Sequence, residues 1–79
     1  MTVLLFARAR DLLGVERLVV HPPEPATIGE LRQRLMRDHP GIAELVAKSA
    51  LALNDEYASD PTPIPVGAEV ALLPPVSGG

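Results

Sequence analysis

The chain has 79 residues, enough for one small domain, because two cores of half this size would each bury too little surface to be stable. Its hydrophobic content of 47% allows a single core, and the absence of cysteine excludes disulfides, a thiolate nucleophile and sulfur ligands for a metal. With a net charge of -3, one Phe, one Tyr and no Trp, the chain is a poor partner for nucleic acid, which is bound by basic faces and stacked aromatic rings.

The apolar runs of the sequence are much shorter than the roughly 20 residues that cross a bilayer. The first residues also lack the basic region and the apolar stretch of a secretion signal. We therefore expect a cytoplasmic domain with no membrane partner, and the lack of cysteine fits a reducing compartment.

Two strands are predicted near the start of the chain. Residues 3–7 form a continuous apolar run, which is typical of a central strand covered on both sides. After Gly14, residues 17–21 predict a second strand that pairs with the first as a hairpin through a long turn. Prolines at 22, 23 and 25 end this strand, because proline cannot donate to a ladder of hydrogen bonds.

A helix is predicted to begin at Thr27, because Thr27 and Glu30 have the spacing of a capping box. Its core-facing residues recur at helical spacing: Ile28, Leu31, Leu35 and Met36. Its arginines are expected to form a solvated face: Arg32, Arg34 and Arg37. Pro40 and Gly41 stop the helix, and the apolar residues after them indicate a second, shorter helical segment.

The second half of the sequence predicts three more strands. Residues 51–53 form the third, and a turn at Asn54 and Asp55 leads into a short fourth segment around Tyr57. Three prolines between positions 61 and 65 make that stretch an extended connector. Residues 69–73 form the last strand, which ends at Pro74 because proline restricts the residue before it.

This order of elements predicts an α+β domain with one main helix packed on one face of a mixed sheet of four to five strands. It is the order of the ubiquitin-like β-grasp fold, in which the first and last strands lie side by side at the centre. We predict such a domain over residues 1–73 and a flexible, extended tail over residues 74–79. Strand alternation then directs one set of strand side chains toward the helix: Val3, Leu5, Val70 and Leu72. The other set faces outward as an apolar surface that needs a partner: Leu4, Phe6, Ala71 and Leu73.

Conventional catalytic groups are nearly absent from the sequence. Its two histidines, His21 and His39, would need scattered carboxylates to complete a zinc site, so no metal site is predicted. No serine lies in a strand-turn-helix elbow, and the glycines are too dispersed for a phosphate-binding loop. We therefore expect the isolated chain to catalyse nothing and to hold no permanently bound cofactor.

The most informative feature is the Gly78-Gly79 pair, which follows a proline-stiffened segment leaving the last strand directly. Residues 74–79 can reach about 20 Å at roughly 3.3 Å each, and glycines can enter a channel too narrow for side chains. A carboxylate presented in this way suits activation as an acyl adenylate. AMP is then the leaving group, and a sulfur or nitrogen nucleophile attacks the carbonyl carbon.

Segments along the whole chain resemble the family of molybdopterin synthase small subunits. Residues 6–14, Phe-Ala-Arg-Ala-Arg-Asp-Leu-Leu-Gly, resemble the signature of its first strand, and residues 52–54 and 63–64 also match. The ending Pro-Pro-Val-Ser-Gly-Gly is the most specific part of the resemblance. Asp11, Ala58 and residues 66–68 depart from the usual pattern, at positions expected in turns or on the surface.

The resemblance implies a sulfur carrier whose reactive group is the carboxyl terminus at Gly79. An E1-like adenylating enzyme would use ATP to activate Gly79, and a sulfur donor such as a cysteine desulfurase would allow its conversion to a thiocarboxylate. The large subunit of molybdopterin synthase would then accept the tail, consisting of Pro74, Pro75, Val76, Ser77, Gly78 and Gly79. The sulfur would pass to the cyclic pyranopterin precursor of the molybdenum or tungsten cofactor. Phe6, Arg10 and Leu73 occupy the family's partner contacts, in a heterotetramer of small and large subunits.

Three other functions stay open. Related β-grasp carriers for thiamine synthesis or tRNA thiolation also end in Gly-Gly, although they commonly lack the preceding Pro-Pro. A ubiquitin-like modifier shares the activation step but joins its last glycine to a lysine. A binding module with an inert tail would keep the apolar surface without depending on Gly79.

Overall fold

The computed structural model describes residues 1–75, which form five β-strands, three α-helices and one 3-10 turn. In chain order these are β1 (Thr2–Leu5), α1 (Ala7–Leu13), β2 (Arg17–Val19), α2 (Ile28–Asp38), the 3-10 turn (Pro40–Ile42), α3 (Ala43–Lys48), β3 (Ala50–Leu53), β4 (Glu56–Ala58) and β5 (Val70–Leu73). The predicted reactive end of the tail, Val76, Ser77, Gly78 and Gly79, lies outside the described residues.

The five strands form one mixed sheet in the order β2-β1-β5-β3-β4. The central strands β1 and β5 are parallel, with Val3 opposite Val70 and Leu5 opposite Leu72. β2 pairs with β1, and β4 with β3, in antiparallel hairpins on either side. This topology confirms the predicted β-grasp fold and the predicted pairing of the first and last strands.

The hydrophobic core lies between the sheet and α2. All four predicted inward residues of the central strands are buried, with at most 3% of their surface exposed: Val3, Leu5, Val70 and Leu72. α2 contributes Ile28, Leu31 and Leu35 to the same cluster, and Met36 packs against it. Burying a side chain of this size stabilises the fold by about 2 kcal/mol, so the helix face and the strand alternation together specify the core.

The start of α2 is capped by its own side chains. The Thr27 hydroxyl accepts a hydrogen bond from the Glu30 N–H at 3.2 Å, as the sequence predicts. The Glu30 carboxylate accepts at 2.7 Å from the N–H of Ala26, one residue before the capping threonine. Both bonds satisfy backbone donors where the chain enters the helix, so the predicted helix start at Thr27 is confirmed.

The predicted long turn between the first two strands was wrong, because it contains α1. β1 ends at Leu5, and Ala7 has a positive φ of 50°, so the predicted strand over 3–7 is too long. Residues 7–13 are Ala, Arg, Asp and Leu, mostly strong helix formers. Gly14 ends the helix in the left-handed conformation at φ 70°, donating its N–H to the Arg10 carbonyl. Ala9 is fully buried and fastens α1 to the core.

The expected solvated arginine face of α2 was also wrong for two of its three members. The Arg32 guanidinium donates to the carbonyls of Val46 and Ser49, each at 2.7 Å, and lies 3.1 Å from an Asp60 carboxylate oxygen. Arg34 donates to the carbonyls of His21 and Pro23. Arg32 therefore ties α2 to the end of α3, where a cation also interacts favourably with the helix dipole.

Replacing Arg32 with methionine is expected to lower the free energy of unfolding by about 2 kcal/mol. The substitution keeps an apolar stem but leaves the Val46 and Ser49 carbonyls without their charged donor. Arg37→Met is the matched control, because the Arg37 side chain is 70% exposed and should change stability by less than about 0.5 kcal/mol. Urea unfolding measures both variants, and equal effects would contradict the role assigned to Arg32.

Within residues 1–75, none of the helices combines the length and apolar character needed to cross a bilayer.

Candidate functional site

Two of the predicted partner-binding residues, Phe6 and Leu73, lie next to each other on the outer face of the sheet. Leu5 pairs with Leu72, so Phe6 and Leu73 are the next residues on two adjacent parallel strands. Phe6 still has an extended backbone and is 43% exposed, whereas Leu73 is half-buried. With the half-buried Leu4 and Ala71, they form what we call the outer patch. The predicted outward orientation of this apolar set is confirmed.

The apolar surface continues across the sheet beyond the outer patch. The half-buried Ala50 and the buried Ala52 of β3 lie opposite Leu73 and Ala71. Tyr57 of β4 lies opposite Ala52 with 78% of its surface exposed. At the other edge, Val19 of β2 is 60% exposed. This extension was not predicted from the sequence, although alternation in the short strands β2 and β4 could have identified it. An exposed apolar surface of this extent is typical of an interaction site.

The third predicted partner-binding residue, Arg10, lies on α1. Its side chain is 49% exposed, and its guanidinium is 3.9 Å from the carboxylate of the neighbouring Asp11. α1 begins directly after Phe6, so Arg10 is close in sequence to the outer patch. α1 also contacts β5, so it lies at the end of the sheet where β5 terminates. Arg10 is therefore accessible to a partner that covers this end of the sheet.

The start of the predicted tail runs along a groove. β5 ends at Leu73, and the half-buried Pro74 and the exposed Pro75 follow it without regular secondary structure. Both prolines line the groove, which we call the tail groove, together with α1, the 3-10 turn and α3. Its charged lining residues are Arg8, Asp11, Glu44 and Lys48. Insertion of residues 76–79 into a partner stays a prediction.

A second groove lies away from the tail. It is lined by the start of β1, by Arg17 of β2, by Glu24 and by residues 65–69. Val66 in this loop is fully exposed. Neither Pro74 nor Pro75 lines this groove, but Leu4 of the outer patch does, so the groove adjoins the outer patch.

The described residues include the outer patch and the end of β5, where the tail begins. Among residues 1–75, no cluster of three or more His, Asp or Glu side chains is placed to hold a metal ion. What these residues can do is to present an apolar surface to a partner next to the end of β5, where the chain continues into residues 76–79.

Comparisons with known proteins connect this geometry to a family. The model described as the ThiS family matches residues 3–79. A relative from Arabidopsis thaliana, named molybdopterin synthase sulfur carrier subunit, is 40% identical over 77 residues, which cover 98% of this chain and 80% of the relative.

Solved structures share the fold, and two of them illustrate it. Small archaeal modifier protein 1 from Haloferax volcanii superimposes with a TM-score of 0.76 and 28% identity, covering 95% of each chain. A chain in the complex of subunits 1 and 2 of molybdopterin-converting factor from Helicobacter pylori superimposes with a TM-score of 0.68 and 29% identity, covering 99% of this chain and 96% of that chain.

Proposed function

Since this chain belongs to the ThiS family and to the molybdopterin synthase small subunits within it, we propose that it is a sulfur carrier whose Gly79 holds sulfur as a thiocarboxylate. The observation that carries the proposal is the match over residues 3–79, which includes the Pro-Pro-Val-Ser-Gly-Gly ending as well as the domain. The fold supports it, because β5 lies at the centre of a rigid sheet and leads directly into that ending.

The first step of the proposed cycle is activation of Gly79. Its carboxylate attacks the α-phosphate of ATP on an E1-like adenylating enzyme, which forms an acyl adenylate and releases pyrophosphate. Sulfur derived from a donor such as a cysteine desulfurase then attacks the carbonyl carbon. A C–S bond forms, the C–O bond to phosphate breaks, and AMP leaves. Where the attacking sulfur belongs to an enzyme persulfide, a thiol then cleaves the S–S bond, forms a disulfide with the enzyme's sulfur and frees the thiocarboxylate. The carrier supplies the carboxylate, and the enzymes supply the acid and base groups.

The second step is delivery of the sulfur in the large subunit. The apolar outer patch is suited to bind that subunit, because covering Phe6 and Leu73 removes exposed apolar surface from water. The similar chain in the Helicobacter pylori complex of subunits 1 and 2 supports such an assembly. The tail then brings its sulfur to the pyranopterin precursor, and hydrolysis returns Gly79 to a carboxylate.

A chain thiocarboxylated chemically at Gly79 is expected to convert the precursor when it is mixed with the large subunit in the absence of ATP. The chemically made thiocarboxylate already carries the sulfur that ATP-dependent adenylation would otherwise allow to be attached, so no adenylating enzyme is needed. The unmodified chain in the same mixture is the control, and it should form no product. Chromatographic detection of the dithiolene product measures both. An inert thiocarboxylate with a competent large subunit would contradict the proposal.

A protein modifier is the second candidate, and the similarity to small archaeal modifier protein 1 favours it. Both functions begin with adenylation of the terminal glycine, so they differ only in the nucleophile that follows. Intact-mass analysis after incubation with ATP, sulfide and a cell extract separates them. Exchange of one oxygen for sulfur on this chain indicates a carrier, whereas an adduct on a second protein indicates a modifier.

A further inference from the structure

We propose that the outer face of the sheet also binds a second copy of this chain, in a face-to-face dimer whose two-fold axis runs along β5. The self-association needs no other protein. Only its consequence, competition with the large subunit for the outer patch, rests on the proposed function.

The strand register aligns the outward side chains in rows across the sheet. The first row has one residue from each strand, in spatial order Arg17, Leu4, Ala71, Ala52 and Tyr57. The second row is shorter and consists of Phe6, Leu73 and Ala50. In both rows the residue that follows β1 is large and the residue of β3 is an alanine. These two strands lie on either side of β5, which is the third of the five.

A two-fold axis along β5 makes this face complementary to itself. The rotation places β1 of one copy over β3 of the other, because both strands are direct neighbours of β5. Leu4 then fits against Ala52 of the second copy, and Phe6 fits against its Ala50. Leu73 lies at the axis and meets its own counterpart. Large side chains therefore face small ones, as they do where two sheets interdigitate.

The same rotation brings the two ends of the first row together. Arg17 on β2 and Tyr57 on β4 are each two strands from β5, so Arg17 of one copy lies over Tyr57 of the other. Tyr57 is 78% exposed. Arg17 is exposed too, and none of the ion pairs among residues 1–75 involves it. A guanidinium over a tyrosine ring is a favourable cation–π contact, and the symmetry forms it twice.

The angle between packed sheets preserves these contacts. Face-packed sheets cross at about 30° and neighbouring strands lie about 4.8 Å apart, so facing positions over β1 and β3 shift by only about 2.5 Å. Over the edge strands the shift is about 5 Å, which the long side chain of Arg17 can span. The apolar contacts near the axis therefore stay aligned, and the arginine reaches across the offset at the edges.

The dimer is expected to be weak. Glu69 precedes the inward-facing Val70, so it lies on the outer side and approaches Glu69 of the second copy near the axis. Apolar contact is confined to two rows, and a contact of that size lies below about 1,200 Å², in the range of transient complexes. The second copy covers Phe6 and Leu73 in the free chain and is displaced by a partner with a larger interface.

Sedimentation velocity of the full chain alone tests the self-association, over a series from about 10 µM to about 1 mM that reveals weak dimers. We expect the average mass to rise with concentration from that of a monomer toward that of a dimer. Glu69→Gln should tighten the dimer by about threefold, because it removes two like charges that face each other near the axis.

Two variants with exchanged charges test the geometry. Arg17→Glu and Tyr57→Lys should each weaken the dimer by about fivefold or more, because the first loses both cation–π contacts and the second brings cations together. An equimolar mixture should regain the association, since the new glutamate of one variant then faces the new lysine of the other. Arg37→Glu makes the same charge change on α2, across the sheet from this face, and should leave the association unchanged. Thermal unfolding checks that every variant is folded.

The inference is overturned if the chain is monomeric at every concentration, if Arg17→Glu and Arg37→Glu have equal effects, or if the mixture associates no better than its separate variants. Adding the large subunit should replace the second copy, whereas a complex that keeps the dimer would contradict the shared surface. A large subunit that does not bind at all would contradict the proposed function and leave the self-association standing. The two failures are therefore distinguishable.

Discussion

Deleting Gly79 is expected to reduce sulfur transfer by about a hundredfold or more while the domain keeps its stability. The tail would be shortened by roughly 3.5 Å, and a reacting group displaced by even 1 Å can lose about a hundredfold in rate. Among residues 1–75 the last buried residue of the hydrophobic core is Leu72, so we expect the domain to fold without Gly79. Adding one alanine after Gly79 should have the same effect, because the carboxylate then lies beyond the reactive position.

Precursor conversion in the presence of the large subunit, an adenylating enzyme, ATP and a sulfur donor measures activity, and thermal unfolding measures stability. Gly79→Ala is the matched control, because it keeps the carboxylate in place and adds only a methyl group. We expect it to retain more activity than the deletion. Substantial activity of the extended chain would be incompatible with Gly79 as the sulfur-bearing residue.

Replacing Phe6 with aspartate is expected to weaken binding to the large subunit by more than about 2 kcal/mol. The substitution removes an aromatic contact from the outer patch and leaves a charge without a partner in a desolvated interface. Phe6 is 43% exposed in the free domain, so the stability of the isolated chain should change little. Titration calorimetry with the large subunit measures the affinity, and urea unfolding measures the stability.

Gln33→Glu introduces the same negative charge at an exposed position on α2, the helix that covers the opposite face of the sheet, and serves as the control. We expect it to bind the large subunit almost as well as the wild type. Equal losses for the two variants would mean that net charge, and not the outer patch, governs assembly. A Phe6→Asp chain that fails to fold would place Phe6 in the core and contradict the outward orientation of its side chain.

The sequence alone determined the central strands, the main helix and the orientation of their side chains. Alternation along residues 3–6 and 70–73 separated the buried from the outward set because strand side chains have a period of two. The Thr27 and Glu30 pair located the start of α2 because capping depends on residues only three apart. Gly79 was singled out from the order of residues alone.

Only the tertiary structure determined the features that depend on distant parts of the chain. α1 was missed because the run after Leu5 stays apolar through Ala7, although the chain turns there through a positive φ. The bonds from Arg32 to carbonyls at the end of α3 join residues up to 17 positions apart, which no local spacing reveals. Lys48 lines the same groove as Pro74 and Pro75 because the antiparallel register places Ala50 opposite Leu73. Such contacts are set by the packing of strands and helices against one core, so they become visible only once the chain is folded.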